Sequence, residues 1–170
     1  MLFVGFRSDA LVGGAANVGL LILTDHELDE IRTRVWGTTN TGSDNRFLGV
    51  DATEDGSAFF VVGYTDHYTL GNDDNILMKL DRELNYRWIR SWGDANFNDQ
   101  AYKVRVSRAH DHIYVMGLGH ETNVGTVNKP YLLRLDKWGE NIINQYEFYG
   151  EDTNDSFEIL EMLITEVDDE

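Results

Sequence analysis

The sequence repeats itself with a period of about 56 residues, and this period constrains the fold more than any other feature. Aromatic-glycine pairs end at Gly37, Gly93 and Gly150, at spacings of 56 and 57 residues. Three more landmarks recur in the same order: an aspartate closing an apolar segment (Asp25, Asp81, Asp136), a glycine ending a second such segment (Gly5, Gly63, Gly117), and a polar residue before the next one (Asn45, Asp99, Asp155). The chain is therefore built from tandem copies of one unit.

Each unit contains four short segments with the pattern of β-strands. The copy that shows them best has AYKVRVS at 101–107, HIYVMG at 112–117, YLLRLD at 131–136 and NQYEFYG at 144–150. Several of these alternate polar with apolar residues, which is typical of a strand buried on one face. Tandem four-stranded units of this length predict an all-β fold of the β-propeller type, with antiparallel blades. A solenoid is the alternative, although solenoid units are usually shorter.

These landmarks resemble the SBBP-type β-propeller repeat. That repeat has a strand ending in Leu-Asp, a Trp strand ending in Gly, an Asp-x-Ala-Tyr run, an alternating Val strand and a Tyr-Val-x-Gly strand. The residues that carry the resemblance are Leu80, Asp81, Trp88, Gly93, Asp99, Ala101, Tyr102, Val104, Val106, Tyr114, Val115 and Gly117. The first copy departs from it at Arg46 and Phe47. The resemblance implies a propeller architecture and an interaction role, and it brings no catalytic residues.

The repeat divides the chain, taken as one region over 1–170, into units of approximately 1–44, 45–98 and 99–154. Residues 155–170 are then the first strand of a split blade. We expect the strand FEILEMLIT (157–165) to lack a neighbour that LFVGF (2–6) could supply. Unpaired sheet edges favour pairing with another chain. The three units are thus expected to belong to a larger ring or to be completed by a protein partner, and two copies joined head to tail would give six units.

The charge of the chain limits its partners. Thirty acidic and 14 basic residues give a net charge of −16, which argues against nucleic acid or an anionic membrane surface as a partner. Cations, basic proteins and neutral sugars are favoured, although solubility alone also accounts for the charge. The chain has no cysteine, so thiolate metal sites and cysteine nucleophiles are excluded. The glycine-punctuated N-terminus predicts neither a signal peptide nor a membrane span, and the compartment stays open.

The long connections are predicted to lie on one face of the repeat, where binding residues usually concentrate. They include FRSDALVGGAANVG (6–19) and LGHETNVGTVNKP (118–130). This acidic loop face supplies the candidate binding residues: Asp66, His67, Tyr68, Asp73, Asp74, Asp94, Asn96, Phe97, Asn98, Asp99, Asp152, Asn154 and Asp155. Tyr64 is a further candidate for ligand contact.

Calcium is the specific metal hypothesis for this face. Asp94, Asn96 and Asn98 form a D-x-N-x-N run, and oxygen ligands at alternating positions suit a hard cation. However, the glycine of the EF-hand consensus is missing, and Arg105 stands where that consensus requires an acid. Asn and Asp are also common in turns because they bond to their own backbone. Turn chemistry is therefore favoured, no cofactor is expected, and calcium is the alternative.

Two other side-chain sets have a structural and a functional interpretation. The run His110-Asp111-His112 could bind a transition metal, but its place at a tight turn favours a solvated turn. The four tryptophans, Trp36, Trp88, Trp92 and Trp138, could stack on sugars, but recurrence of two of them before Gly favours packing between blades.

The sequence offers little support for an enzyme. It has neither a Gly-rich phosphate loop nor a nucleophile elbow. We therefore expect a non-catalytic scaffold or recognition domain that binds protein or assembles through its acidic loop face. The alternative is a glycan- or calcium-dependent binding domain of a surface protein.

Overall fold

The structure is a computed structural model that describes residues 1–11, 14–38, 40, 42–67, 72–93, 97–108, 111–120, 128–148 and 161–163. Within these ranges the chain forms eleven β-strands: β1 (Leu2–Leu11), β2 (Gly14–Thr24), β3 (Glu30–Trp36), β4 (Asn45–Ala52), β5 (Ala58–Thr65), β6 (Asp74–Asp81), β7 (Tyr86–Trp92), β8 (Gln100–Val106), β9 (His112–His120), β10 (Asn128–Asp136) and β11 (Ile142–Glu147). In this part of the chain no helix is long and apolar enough to cross a membrane.

The strands form three antiparallel sheets that follow one another along the chain. Sheet 1 has the order β1-β2-β3, sheet 2 the order β4-β5-β6-β7, and sheet 3 the order β8-β9-β10-β11. Each strand pairs with its neighbour in sequence, as expected where short turns join antiparallel strands. The predicted all-β class with tandem sheets is confirmed.

The segments predicted as strands over residues 101–150 overlap β8 to β11. Of the predicted strand 157–165 the structure describes only residues 161–163, which are not in a strand. Two predicted loops are wrong. Strands β1 and β2 continue as one hairpin until Leu11 pairs with Gly14, inside the predicted loop 6–19. Strands β9 and β10 likewise continue until His120 pairs with Asn128. Polar residues alone do not end a strand, because they can satisfy each other across it. The hydroxyl of Ser8, for example, donates to the side-chain oxygen of Asn17 directly opposite, at 2.5 Å.

The repeat extends to details of strand pairing. The register shifts between Phe47 and Gly49 in sheet 2, and between Ala101 and Lys103 in sheet 3. The outer strand pair of each sheet also has a shift, before Thr24, Leu80 and Leu135 respectively. Shifts at matching positions place the side chains of each copy on the same face, so residues one period apart are structurally equivalent.

The core consists of two apolar layers, one on each side of sheet 2. Leu21 of sheet 1 faces Phe47, Val61 and Met78 of sheet 2 in the first layer. In the second layer, side chains of sheet 2 meet side chains of sheet 3, including Phe60, Val62, Leu77, Val104, Val115 and Leu133. Sheet 2 is thus buried on both faces, which explains the nearly continuous burial along β5 and β6.

Three of the four tryptophans pack in these layers, which confirms the packing prediction for them. The ring of Trp36 lies 5.8 Å from the ring of Phe47, that of Trp88 lies 6.1 Å from Phe60, and that of Trp92 lies 6.5 Å from Tyr131. Trp138 is the exception, because it is exposed on the turn between β10 and β11.

The segment 161–163 lies against sheet 3. The carboxylate of Glu161 is 2.8 Å from the guanidinium of Arg105 and 3.7 Å from the amine of Lys103, both on β8. The side chain of Met162 is buried. Lys103 and Arg105 alternate along β8 with Val104, which faces sheet 2, so this segment covers part of the opposite face of sheet 3.

Candidate functional site

A cluster of carboxylates forms where β4 and β5 meet on the loop face. The Asp44 carboxylate accepts two bonds from the Arg46 guanidinium, from Nε at 2.8 Å and from the terminal nitrogen at 3.0 Å. It also accepts from the Asn17 amide of sheet 1 at 2.9 Å. Bidentate arginine pairs of this kind hold a carboxylate in a fixed direction. Asp44 therefore joins sheets 1 and 2 at this face.

The neighbouring loop is fixed to the same point. The backbone N–H of Asp44 donates to the Asp66 carboxylate at 2.9 Å, and the backbone N–H of Asp66 donates to the Asp44 carbonyl at 3.2 Å. The hydroxyl of Tyr64 donates to Asp44 at 3.3 Å. Tyr64 is buried and its hydroxyl is used within the fold, and its contact with a ligand stays a prediction.

Asp73 completes the cluster, and its acidity is altered. Burial, followed by the negative charges of Asp44 and Asp66, raises the pKa of Asp73 to about 6, although Arg46 acts in the opposite direction. Carboxylates held together in a partly dry place retain a proton in this way. Asp73 thus changes charge near pH 6, which makes this face of the molecule pH-dependent.

The predicted site residues do not form one group. Asp66 and Asp73 are half-buried in this cluster, His67 and Asn98 are exposed, and Phe97 is half-buried. Asp74 and Asp99 are 7% and 2% exposed, and a Cβ built on Gly93 would lie 2.2 Å and 2.7 Å from their carboxylate oxygens. The structure therefore brings Asp74 and Asp99 together beside Gly93, between sheets 2 and 3. The other predicted residues lie outside the described part of the chain: Tyr68, Asp94, Asn96, Asp152, Asn154 and Asp155.

The calcium hypothesis stays a prediction from the sequence. Of its D-x-N-x-N run only Asn98 is described, and its side-chain oxygen accepts the backbone N–H of Asp73 at 3.4 Å. The transition-metal hypothesis is in the same position, since His110 lies outside the described residues. Of its neighbours, Asp111 pairs with Lys137 at 3.0 Å.

One set of acids in the described residues comes close enough to hold a metal ion: Asp25, Glu27 and Asp29. The Asp25 carboxylate already accepts the backbone N–H groups of residues 27 and 29, at 2.9 and 3.0 Å. Asp81 binds residues 83 and 85 in the same way, and Asp136 binds residues 140 and 141. A turn motif repeated in each unit explains this set, and we assign it no ligand.

A cavity of about 470 Å³ opens between sheets 2 and 3, below Gly93 and Gly119. Its floor contains Asn75, Asp99 and Tyr131, and its outer part is lined by side chains of β10 and β11. The hydroxyl of Tyr131 donates to the Asn75 side-chain oxygen at 2.7 Å. Burial and the nearby Asp99 charge raise the pKa of Tyr131, so the hydroxyl stays protonated.

The equivalent place between sheets 1 and 2 has a different lining. There the Phe47 ring lies against Gly19, where a Cβ would be 2.5 Å from it. One period later Phe47 is replaced by Ala101, Gly19 by Asn75 and Ile76 by Tyr131. Asn75 and Tyr131 line the cavity, so its polar floor comes from residues that are apolar in the preceding copy.

A wider groove of about 890 Å³ lies between sheets 2 and 3 on the opposite face, at the tight turns. Basic side chains line it, but Arg87 pairs with Asp81 and Lys137 pairs with Asp111, each at 3.0 Å. These ion pairs lie within the fold, so the groove is a weaker candidate than the cavity.

Gly5 of sheet 1 has different surroundings from its equivalents in sheets 2 and 3. A Cβ on Gly63 or Gly117 would meet the backbone carbonyl of Arg46 or Gln100 on the adjacent first strand, at 1.9 and 2.5 Å. A Cβ on Gly5 meets no described atom within 4 Å. In sheets 2 and 3 the first strand, β4 or β8, therefore packs on this glycine. Among the described residues no strand occupies the equivalent place beside Gly5 of β1.

The turns before the outer strands show the same difference. Leu28 and Leu84 both have positive backbone φ angles, 71° and 59°, and Gly139 has 73° at the third copy. Leu84 is 4% exposed and packs between sheets 1 and 2, whereas Leu28 is 61% exposed. We call the face of sheet 1 that carries Phe3, Leu20, Ile22 and Leu28 the open face.

Several of these residues escaped the sequence analysis. Asp44 and Arg46 were not recognised as the centre of the loop-face cluster, and Asn75 and Tyr131 were not recognised as cavity residues. A comparison of the copies position by position contains that second signal, because the equivalent residues Gly19 and Ile76 are apolar. No protein-family model matches the chain, and no curated protein compared with it gives a significant match.

Proposed function

We propose that this chain is a non-catalytic scaffold of the β-propeller type, which assembles by packing its open face against a sheet of a second copy. The observation that carries the proposal is the exposure of Leu28. A non-glycine residue with positive φ costs about 1–2 kcal/mol. At Leu84 burial offsets that cost. At Leu28 a partner packed on the open face would offset it in the same way.

The composition of the open face supports an apolar partner of sheet-like shape. Phe3, Leu20 and Ile22 are one period before Val61, Ile76 and Met78, which are the residues that sheet 2 packs against sheet 1. The pairing of the strands agrees, because Phe3 lies opposite Ile22 as Val61 lies opposite Met78. The open face is thus chemically equivalent to a face that is buried one repeat later.

The far side of sheet 3 supplies a surface that fits this description beside Lys103 and Arg105, which residues 161–163 of the same chain contact. Tyr114, Met116 and Leu132 are equivalent to Phe60, Val62 and Leu77, the residues that sheet 2 packs against sheet 3. The open face of one copy therefore matches the far side of sheet 3 of another. Such a contact joins two different surfaces and can close into a ring. A strand that the second copy adds beside β1 would also fill the space next to Gly5.

The acidic loop face belongs to the same scaffold. Asp44 and Asp66 are held by bonds within the fold, so their negative charges have fixed positions, and Asp73 adds its charge above about pH 6. A fixed charge steers basic partners and repels nucleic acid. We propose it as the surface that the assembled scaffold presents to other proteins.

The position of the interface can be tested with a thiol probe, because the chain has no cysteine of its own. In Asp29→Cys the thiol lies next to Leu28 and leaves that side chain intact. Its reaction with a water-soluble maleimide should slow at least several-fold as protein concentration rises from about 1 μM to about 100 μM, a range typical of moderate association.

Glu54→Cys is the matched control, since Glu54 is exposed on the turn between β4 and β5. Its reaction rate should not change with concentration. Equal and concentration-independent rates for both thiols would contradict a partner on the open face.

A further inference from the structure

We propose that the cavity between sheets 2 and 3 binds an uncharged sugar of one or two rings. This site is separate from the open face and does not depend on assembly. Its volume of about 470 Å³ lies in the range of small-molecule pockets, and it combines a polar floor, an apolar wall and a polar mouth.

The mixed charges of the lining disfavour a ligand that carries a net charge. Asp99 and Glu147 are acidic and oppose an anion, whereas Lys129 is basic and opposes a cation. A hydroxyl group both donates and accepts hydrogen bonds, so a polyol can serve carboxylates and an ammonium at once. A sugar is the class of small molecule that carries several such groups on a compact frame.

The floor is organised in advance. Asn75 accepts from the Tyr131 hydroxyl at 2.7 Å and donates to the Trp92 carbonyl at 3.0 Å, which fixes both side chains. Asp99, at 2% exposure, is held beside them, and its backbone N–H donates to the Asp73 carbonyl at 2.8 Å. A site whose polar groups are already positioned loses little entropy on binding.

The wall and the mouth of the cavity also suit a sugar. Trp92, Leu133 and Ile142 line the cavity between floor and mouth, and they offer an apolar surface to the C–H face of a sugar ring. At the mouth, Gln145 donates to the Glu147 carboxylate at 2.7 Å from the exposed outer strand β11. Planar amide and carboxylate groups there can bond to ring hydroxyls.

The polar floor distinguishes this interface from the one between sheets 1 and 2. There Gly19 and Ile76 stand where the cavity has Asn75 and Tyr131, and the Phe47 ring lies against Gly19. We therefore expect the sugar to bind between sheets 2 and 3.

The test is a titration of ¹⁵N-labelled protein with glucose, galactose, mannose, N-acetylglucosamine, maltose and lactose, followed by NMR. The Trp92 indole and the Gln145 amide report on the cavity; Trp92→Phe assigns the indole. At least one of these sugars should give saturable shifts at both groups below about 100 mM, the range of weak small-ligand binding. Its amino-sugar and uronic-acid analogues should bind about tenfold more weakly.

Two variants locate the binding. Gly119→Ala adds a methyl group 3.3 Å from a carboxylate oxygen of Asp99 and 3.4 Å from the Tyr131 ring, so it narrows the floor. It and Gln145→Ala should each weaken binding at least several-fold. Ile143→Ala is the control, because Ile143 is exposed on β11 and does not line the cavity.

Three results would overturn the proposal. One is the lack of a saturable shift with all six sugars at about 100 mM. Another is tighter binding of a charged analogue. The third is unchanged affinity in both Gly119→Ala and Gln145→Ala.

Discussion

Two turns of the same design meet different surroundings in this molecule. The turn before β7 places Leu84 at positive φ and buries it between sheets 1 and 2, whereas the turn before β3 places Leu28 at positive φ and exposes it. Both turns are held by an aspartate at the end of the preceding strand, Asp81 and Asp25. The backbone is therefore set locally, and burial of the leucine depends on the neighbouring sheet.

The comparison teaches that the repeat specifies interfaces as well as strands. Each unit carries one face for the sheet before it and one for the sheet after it. In sheet 2 both faces are used, and its β5 and β6 are almost fully buried. On sheet 1 the corresponding residues Phe3, Leu20 and Ile22 stand on the open face. An apolar face with a built-in partner geometry is the basis of the proposed assembly.

The largest expected effect is a difference in unfolding free energy between Gly63→Ala and Gly5→Ala. A methyl group on Gly63 would lie 1.9 Å from the Arg46 carbonyl, so Gly63→Ala should lower the free energy of unfolding by about 3 kcal/mol or more. Gly5→Ala meets no described atom and should change the stability of the monomer by less than about 0.5 kcal/mol. Urea unfolding of both variants, monitored by tryptophan fluorescence, measures the difference.

Gly5→Ala should nevertheless abolish self-association, because its methyl group would occupy the space that an inner strand of the partner requires. Association that survives this substitution would show that no strand packs on Gly5, and the proposed geometry would then be wrong.

The next effect separates Leu84 from Leu28. Leu84→Ala removes a buried side chain and should cost about 2–4 kcal/mol of unfolding free energy. Leu28→Ala should cost less than about 0.5 kcal/mol in the monomer. Alanine keeps the backbone penalty of positive φ in both variants, so the difference reports burial alone. In the assembled protein Leu28→Ala should weaken association about tenfold. An unchanged dissociation constant would show that Leu28 is not part of the interface.

A smaller effect distinguishes Asp73 from Asn17, its equivalent in sheet 1. The folded-state pKa of Asp73 is about 6, against an ordinary value of 3.8 for aspartate, so the folded protein holds this proton more tightly. The stability it contributes is present below pH 4 and is lost as pH rises through 6. Allowing for solvent screening, Asp73→Asn should remove a fall of about 1 kcal/mol across this window.

Asn17 indicates that an amide is compatible with this position, which makes the substitution conservative. Thermal unfolding of both proteins between pH 4 and 7 provides the comparison. Identical pH profiles would show that the charges of Asp44 and Asp66 do not act on Asp73.

The sequence predicted the strands well because their pattern is local. Alternation and the 56-residue period identify β8–β11 and the turns that contain Asp25, Asp81 and Asp136. Pairing across a hairpin is not local, and for this reason β1 and β2 extend through a segment that reads as a loop. Ser8 looks like a loop residue until Asn17 is placed opposite it.

The site was less predictable for the same reason. Asp74 and Asp99 were selected as exposed loop acids, but the structure buries them beside Gly93, because two sheets meet there. The cavity is lined by residues of two neighbouring units, and a single unit cannot show which side chains will meet there. Residues outside the described ranges keep their sequence-based predictions.

Solution mass as a function of concentration tests the central claim most directly. Light scattering coupled to size-exclusion chromatography should show the 19.4 kDa chain converting into a discrete multiple of that mass as concentration rises to about 100 μM, and Gly5→Ala should remain monomeric. A mass of 19.4 kDa at every concentration would contradict the account.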